Sequence, residues 1–205
     1  IYDGYKKGRK KMSSHLADEL PTIQDAFLQL GVDSLVSEED EADDLIATLA
    51  TKMALHGQQV TIVSTDKGFL SLLSPTIHIY DYFNRRYLDE QHVKDKFDVK
   101  PTQLIDLWTL TGDNTNKIPG VAGIGQITAA SLLNQYGSLS AMLQSNDIKP
   151  AIKEKLNKSP EQIALSRKLL TLKQNIPLGF NLKDIRLDSP TVQIENNNNS
   201  YDQAL

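Results

Sequence analysis

The sequence has 205 residues, of which 40% are hydrophobic and 23% are charged. These values are typical of one compact α/β domain, alone or with a helical extension. The chain has no cysteine, which excludes disulfides and thiolate metal sites, and its four histidines lack the spacing of zinc ligands. No apolar stretch is long enough to cross a membrane, so we expect a cytoplasmic protein without a membrane partner.

The predicted elements alternate along the chain. We expect a helix at residues 14–30, a short strand at 33–36, an acidic helix ending near 56, and a strand at 60–64. A helix at 67–73, a strand at 77–83 and a turn at 84–85 follow, and the chain is mostly helical from residue 89. The asparagine-rich tail at 195–205 has little apolar content, so we expect it to be disordered.

The net charge of −4 hides an uneven distribution of charged residues. Acids concentrate at residues 38–44, whereas the first eleven residues contain Lys6, Lys7, Arg9, Lys10 and Lys11. A second basic set lies on the later helical segments: Lys149, Lys153, Lys155, Lys158, Arg167 and Lys168. A solvated helix face is the favoured interpretation of this set, and a weak track for phosphates is the alternative.

The acidic run includes Glu41, Asp43 and Asp44 and stands before an amphipathic segment. One or two acids in a first helical turn complement the helix dipole. Six acids in seven residues repel one another unless cations lie among them, and Mg²⁺ and Mn²⁺ prefer oxygen ligands. A solvated acidic helix start remains an equal alternative.

A further acidic residue outside the acidic run, Asp66, follows the run of β-branched residues at 60–64. A continuous apolar run of this kind predicts a strand buried on both faces of a parallel sheet. Ligands of open α/β sheets bind beyond the carboxyl ends of the strands, where a metal ligand is expected. Capping of the next helix by Asp66 explains the same residue equally well.

The glycine-rich stretch at residues 112–125 joins two predicted helices, at 101–111 and 126–135. Glycine permits positive φ and removes the Cβ that would hold a ligand away from the backbone. A phosphate could therefore contact the N–H groups at the start of the second helix. This layout is typical of a sequence-independent reader of the DNA backbone, although a simple connecting loop is the alternative.

Four motifs occur together in one order: Tyr5-Lys6-Lys7-Gly8-Arg9, Glu41-Ala42-Asp43-Asp44, Ser64-Thr65-Asp66-Lys67-Gly68, and Gly112-Asp113 through Pro119-Gly120-Val121-Ala122-Gly123-Ile124-Gly125. With them the chain resembles the 5′ nuclease or flap endonuclease family, which includes the N-terminal domain of bacterial DNA polymerase I. It is most similar to the stand-alone exonuclease IX type of that family.

The resemblance implies an α/β fold, with a mostly parallel central sheet flanked by helices and a helix-3-turn-helix DNA-binding module. It implies a nuclease core at residues 1–100, whose first strand and early aspartates precede this chain and whose residues 1–20 form a basic, arch-like segment. The module and further helices would occupy residues 101–190, and residues 191–205 would form a tail. The implied protein is a monomer that acts on branched or 5′-flap DNA in replication and repair.

The resemblance also implies the roles of individual residues. Glu41 and Asp43 would hold Mg²⁺ or Mn²⁺, with Asp44 behind them, and Asp66 and Asp113 would contact a second, weaker ion. Lys6 and Arg9 would lie on a helical arch and neutralise the negative charge that develops on the phosphate during the reaction.

A potassium ion is also implied, bridging the turn and a DNA phosphate. Its ligands would be main-chain carbonyl oxygens of Leu110, Thr111, Pro119, Val121 and Ile124. The N–H groups facing the DNA strand would be those of Gly123, Ile124, Gly125, Gln126, Ile127 and Thr128. Added bulk at Gly120, Gly123 or Gly125 is expected to distort the turn.

Two departures from the family pattern fall in the second metal site, where Gly68 and Asn116 replace carboxylates and Lys117 stands beside them. A slow or selective nuclease is the favoured interpretation. A DNA-binding protein with little nuclease activity is the alternative, and a single-strand RNA nuclease is a weaker third, because it has no need of the turn at 112–125.

Overall fold

A computed structural model describes residues 2–8 and 11–181 of the chain. Its contacts divide the chain into two compact units. The larger unit comprises Ile1–Lys10 and Ser37–Pro177, and the smaller comprises Lys11–Val36 and Leu178–Leu205. The expected disordered tail at 195–205, the end of the expected 101–190 segment and Arg9 lie outside the described residues.

The smaller unit contains the long helix α1, Ser14–Gln29. Ser13 caps it by accepting a hydrogen bond from the backbone N–H of Leu16 at 3.3 Å, and the helix continues through Pro21. The predicted helix at 14–30 is thereby confirmed. The strand predicted at 33–36 is wrong, because these residues pair with no neighbouring strand and form an extended connection.

The larger unit contains all the strands of the described structure and most of its helices. Two short segments are 3₁₀ helices, Lys67–Leu72 and Pro101–Gln103. The other elements are α2 (Ala42–Leu55), β1 (Val60–Val63), β2 (Ile77–Asp81), β3 (Arg86–Leu88), α3 (Glu90–Phe97), α4 (Leu104–Thr111), α5 (Gln126–Tyr136), α6 (Leu139–Gln144), α7 (Pro150–Asn157) and α8 (Pro160–Leu170).

The sheet is small and mixed, with the strand order β1-β2-β3. β1 pairs with β2 in parallel, and β2 pairs with β3 in antiparallel fashion, so the pairing is not mostly parallel. β1 is not buried on both faces as predicted, because Ile62 is buried whereas Thr61 and Val63 are exposed. The carboxyl end of β1 nevertheless leads within three residues to Asp66.

A continuous apolar core joins the sheet to the helices within the larger unit. Ile62 and Ile79 from the sheet pack in the same cluster as Leu107 and Leu110 of α4 and Leu133 of α5. This core fixes the ends of β1, α2 and α4 with respect to one another. Within the described part of the chain, no helix combines the length and the apolar character that crossing a membrane requires.

The glycine-rich turn is held by short backbone hydrogen bonds. Asp113 and Ile118 exchange two bonds of 2.8 and 2.9 Å, and the Val121 N–H donates to the carbonyl of Leu110 at 2.7 Å. A Cβ at Gly120 would lie 2.6 Å from that carbonyl oxygen. Gly125 has open space around its Cβ position and an extended backbone with φ of −90°, so a Cβ there would not distort the turn, contrary to expectation.

Gly120→Ala should lower the free energy of unfolding by about 1–3 kcal/mol, because the added methyl meets main-chain atoms that cannot rotate away. Gly125→Ala is the matched control and should change the same quantity by less than about 0.5 kcal/mol. Urea unfolding of both variants measures the difference. Equal stabilities for the two variants would contradict the packing described for Gly120.

Candidate active site and DNA-binding turn

The carboxyl end of β1 and the start of α2 bring acidic side chains to one cavity of about 420 Å³. Glu41 is the N-cap residue of α2, and Asp43 lies in its first turn. Asp66 is the N-cap residue of the first 3₁₀ helix. All three line the cavity. The acidic run is thus only partly helical, since α2 begins at Ala42.

Three of the six carboxylates of the acidic run form ion pairs with ammonium groups. Glu41 forms an ion pair with Lys6. Lys173 pairs with Asp40 at 2.6 Å, and its backbone N–H donates to Asp44 at 2.9 Å. Asp44 therefore faces the segment around Lys173, which explains why so many acids coexist at this helix start.

Asp43 differs from Glu41 and Asp44 because its carboxylate forms no hydrogen bond or ion pair with the described residues. Partial burial raises its pKa, the negative charges of Asp66, Glu41 and Asp44 add to the effect, and the positive charge of Lys6 partly opposes it. Asp66 accepts a hydrogen bond from the Gly68 N–H at 2.7 Å, so it caps the 3₁₀ helix and also lines the cavity. Asp43, Asp66 and Glu39 are the cavity carboxylates that form no ion pair with an ammonium of the described residues.

This donor set fits a divalent cation of the magnesium type. Mg²⁺ is bound through one or two carboxylates and keeps several waters or phosphate oxygens. In the two described segments, 2–8 and 11–181, no three His, Asp or Glu side chains form a ready-made ion cage. Asp43 and Asp66, with Glu41 beside them, could therefore supply only part of a coordination sphere.

Asp113 differs from the other predicted metal ligands because its carboxylate is buried and already accepts several hydrogen bonds. It accepts hydrogen bonds from Lys67 at 3.0 Å, from the backbone of Thr115 at 3.0 Å and from the amide of Asn116 at 2.9 Å. Burial alone raises the pKa of Asp113, but these contacts outweigh it and leave the pKa below its usual value. Little acceptor capacity remains for a second ion.

Lys6 lies in a turn and has a φ of +56°, so it is not on a helical arch as the resemblance implies. Its backbone N–H donates to the carbonyl of Asn116 at 3.0 Å. Partial burial lowers the pKa of Lys6, but the hydrogen bond to Glu41 and the interaction with Tyr5 raise it overall. The ammonium therefore stays charged beside the cavity.

The carbonyl oxygens predicted to bind potassium differ in whether they already accept a hydrogen bond. Those of Leu110 and Val121 accept backbone hydrogen bonds, and that of Pro119 accepts one from Ser166 at 2.6 Å. Thr111 and Ile124 have carbonyls that no donor reaches in the described structure. The Pro119 carbonyl thus faces α8, and the turn presents fewer open carbonyl oxygens than predicted.

The start of α5 presents open donors. No side chain caps this helix, and the N–H groups of Gln126, Ile127 and Thr128 have no acceptor among the described residues. The Ile124 N–H is occupied by the carbonyl of Val121 at 3.0 Å. Ile127 is 89% exposed, so this helix end is open to a ligand.

The second basic set divides into different environments. Lys158 pairs with Glu154 and Arg167 pairs with Asp106, whereas Lys155 donates to the carbonyl of Gly123 at 2.8 Å. Lys168 lines the cavity. Sequence reasoning missed Lys67 and Lys173 as site residues, since their partners lie 46 to 133 positions away along the chain.

Asp113→Asn should lower the free energy of unfolding by about 1–3 kcal/mol at neutral pH, because Lys67 loses its charged acceptor. The depressed pKa means that Asp113 contributes full stability above the unfolded-state pKa of about 3.9, and that this contribution is lost as pH falls through the lower folded value. The difference from the wild type should therefore shrink below about pH 4.

Urea unfolding at several pH values measures this difference. Asp95→Asn is the matched control, since Asp95 is exposed and accepts a hydrogen bond from Gln91. A constant difference between the Asp113 variant and the wild type across this pH range would contradict the assigned ion pair.

Comparisons with known proteins identify the family of the chain. Residues 1–98 match the N-terminal resolvase-like domain of the 5′-3′ exonuclease family, and residues 99–193 match its C-terminal SAM fold. A flap endonuclease Xni of Colwellia psychrerythraea is 72% identical over 97% of this chain and 69% of its own length. The Vibrio parahaemolyticus flap endonuclease Xni is 49% identical over 93% of this chain and 73% of its own length.

Two solved structures share the fold. A bacteriophage T5 flap endonuclease with DNA and metal ions has a TM-score of 0.67 at 24% identity, over 82% of this chain and 66% of that one. A zinc-bound T5 5′-exonuclease has a TM-score of 0.66 at 23% identity, over 80% and 63%. The predicted α/β class with a helical module is confirmed. The chain belongs to the 5′-3′ exonuclease family.

Proposed function

We propose that this chain is a metal-dependent, structure-specific 5′ nuclease that hydrolyses phosphodiester bonds in branched or 5′-flap DNA. The observation that carries the proposal is that Asp43 and Asp66 line one cavity, lie close enough for the charge of Asp66 to raise the pKa of Asp43, and form no ion pair with the described residues. The names of the Xni relatives support the reaction class. A monomeric state, a cytoplasmic location and a role in DNA replication and repair remain predictions.

In this proposal Asp43, Asp66 and Glu41 hold Mg²⁺ or Mn²⁺ in the cavity. Such an ion supplies a Lewis acid for the phosphodiester and makes a bound water more acidic. Asp44 and Asp40 stay with Lys173 and keep the start of α2 in position. Lys6 keeps a positive charge near the reacting phosphate, and we assign the same task to Arg9.

The glycine-rich turn and the start of α5 bind the DNA strand outside the cavity. The N–H groups of Gln126, Ile127 and Thr128 are open donors, and they carry the partial positive charge of a helix N-terminus. These donors read phosphates and not bases, which suits a nuclease that recognises the shape of a branch point. Gly123, Ile124 and Gly125 complete the proposed contact surface.

A DNA-binding protein with little nuclease activity is the second candidate, and the surroundings of Asp113 favour it. The ammonium of Lys67 and the amide of Asn116 already occupy that carboxylate, and Gly68 offers no ligand. A second divalent ion therefore has few ligands here. The first site can still support hydrolysis, because Lewis-acid and water-activating roles can be filled by one ion.

An assay on three DNA forms distinguishes the two candidates. The full-length protein is incubated with 5′-flap, nicked and blunt DNA in Mg²⁺, Mn²⁺ and EDTA. The nuclease proposal expects cleavage of the flap substrate in Mg²⁺ or Mn²⁺ and none in EDTA. Tight binding of flap DNA without cleavage in any metal would favour the binding protein.

Asp43→Asn and Glu41→Gln should each abolish flap cleavage while leaving DNA affinity unchanged or slightly higher. Each change removes one negative charge from the cavity and leaves the turn intact. Glu38→Gln is the matched control, because Glu38 belongs to the same acidic run but is exposed and outside the cavity. Cleavage by both site variants at the wild-type rate would show that the assigned metal site is wrong.

Potassium should strengthen DNA binding through the turn. The open carbonyls of Thr111 and Ile124 would repel a phosphate unless a cation lies between them. Replacing K⁺ by tetramethylammonium at equal ionic strength should therefore weaken binding beyond the screening that both salts share. Fluorescence anisotropy with a flap substrate measures the affinities, and equal values in the two salts would leave only the N–H contacts.

A further inference from the structure

One lysine of the second basic set touches the DNA-binding turn. Lys155 lies on α7, and its Nζ is 2.8 Å from the carbonyl oxygen of Gly123. Gly123 has a φ of +73°, and a Cβ there would lie 2.8 Å from the same Nζ. The ammonium therefore lies against the backbone of the turn, next to the start of α5.

The charge of Lys155 is not cancelled locally. Lys158, three residues later on the same face, is paired with Glu154 at 2.6 Å, and Arg167 on α8 is paired with Asp106 at 2.7 Å. No carboxylate among the described residues forms an ion pair with Lys155. Lys155 thus brings a whole positive charge to a surface where helix N–H groups bring only part of one.

An ammonium has three N–H donors and no acceptor. The Gly123 carbonyl takes one donor of Lys155, which leaves two for another acceptor. A phosphate oxygen held by the N–H groups of Gln126 to Thr128 is an acceptor of matching charge. Lysine acts here as a point charge, so it reads the phosphate without regard to base sequence.

We propose that Lys155 is a phosphate-contacting residue of the DNA-binding turn, held in position by the Gly123 carbonyl. This assignment rests on the proposed DNA-binding function and adds a residue from α7 to its contact surface. It also assigns different roles to two residues of the second basic set, because Lys155 binds phosphate whereas Lys158 belongs to a solvated ion pair.

Anisotropy of a fluorescent 5′-flap DNA, measured in EDTA at several salt concentrations, tests the assignment on the full-length protein. Lys155→Gln should weaken binding about tenfold at low salt and reduce the slope of log affinity against log salt by about one. Lys155→Arg keeps the charge and should retain most of the slope. Lys158→Gln is the matched control and should change neither quantity.

A Lys155→Gln variant with wild-type affinity and slope would overturn the assignment, as would equal losses for Lys155→Gln and Lys158→Gln. A lower melting temperature with an unchanged salt slope would also overturn it, because Lys155 would then only stabilise the turn. If the wild type itself fails to bind flap DNA, the proposed function fails, and that result is distinct from the others.

Discussion

The balance of charge around the start of α2 is the constraint on which the rest of the site depends. Six acids within seven residues would repel one another if all were uncompensated. Lysines from two distant segments remove part of that repulsion, since Lys6 pairs with Glu41 and Lys173 with Asp40. Asp43, Asp66 and Glu39 line the cavity without an ion pair in the described structure, and a divalent cation is the fitting partner there.

The segment that carries Lys173 also fixes α2. The hydroxyl of Thr48 donates to the carbonyl of Lys173 at 3.2 Å, and Lys52 donates to that of Ile176 at 3.2 Å. This segment also buries the apolar side chain of Ile176. Because it follows the end of α8 and is bonded to α2, these two helices of the larger unit are held in one framework.

A similar link joins the turn to the cavity. Lys67 at the carboxyl end of β1 contacts Asp113 in the turn, and its ammonium lies 5.5 Å from the ring centre of Trp108. The backbone of Lys6 is bonded to Asn116 in the same turn. Asp113 therefore orders the connection between the cavity and the glycine-rich turn.

Local patterns predicted much of this structure. Periodicity placed α1 and α4, and the β-branched run before Asp66 placed β1, because these signals depend on neighbouring residues. The glycine-rich turn was predicted from Gly120, Gly123 and Gly125, and of these Gly123 has a positive φ.

Features that depend on distant contacts were not predicted. Lys173 reaches Asp44 across 129 positions and left no local signal. The exposed face of β1 was missed because a run of β-branched residues does not reveal which face is covered. Local sequence likewise could not choose between capping and metal binding at Asp66, and the structure combines a cap with a place in the cavity.

Counting the bound divalent ions tests the central claim most directly. Metal-free protein is titrated with Mn²⁺, and the fraction bound is followed by electron paramagnetic resonance. The charge balance predicts one ordered Mn²⁺ per chain in the wild type and in Glu38→Gln, and its loss in the double variant Asp43→Asn with Asp66→Asn. Equal Mn²⁺ binding by the double variant, or none by the wild type, would contradict the account.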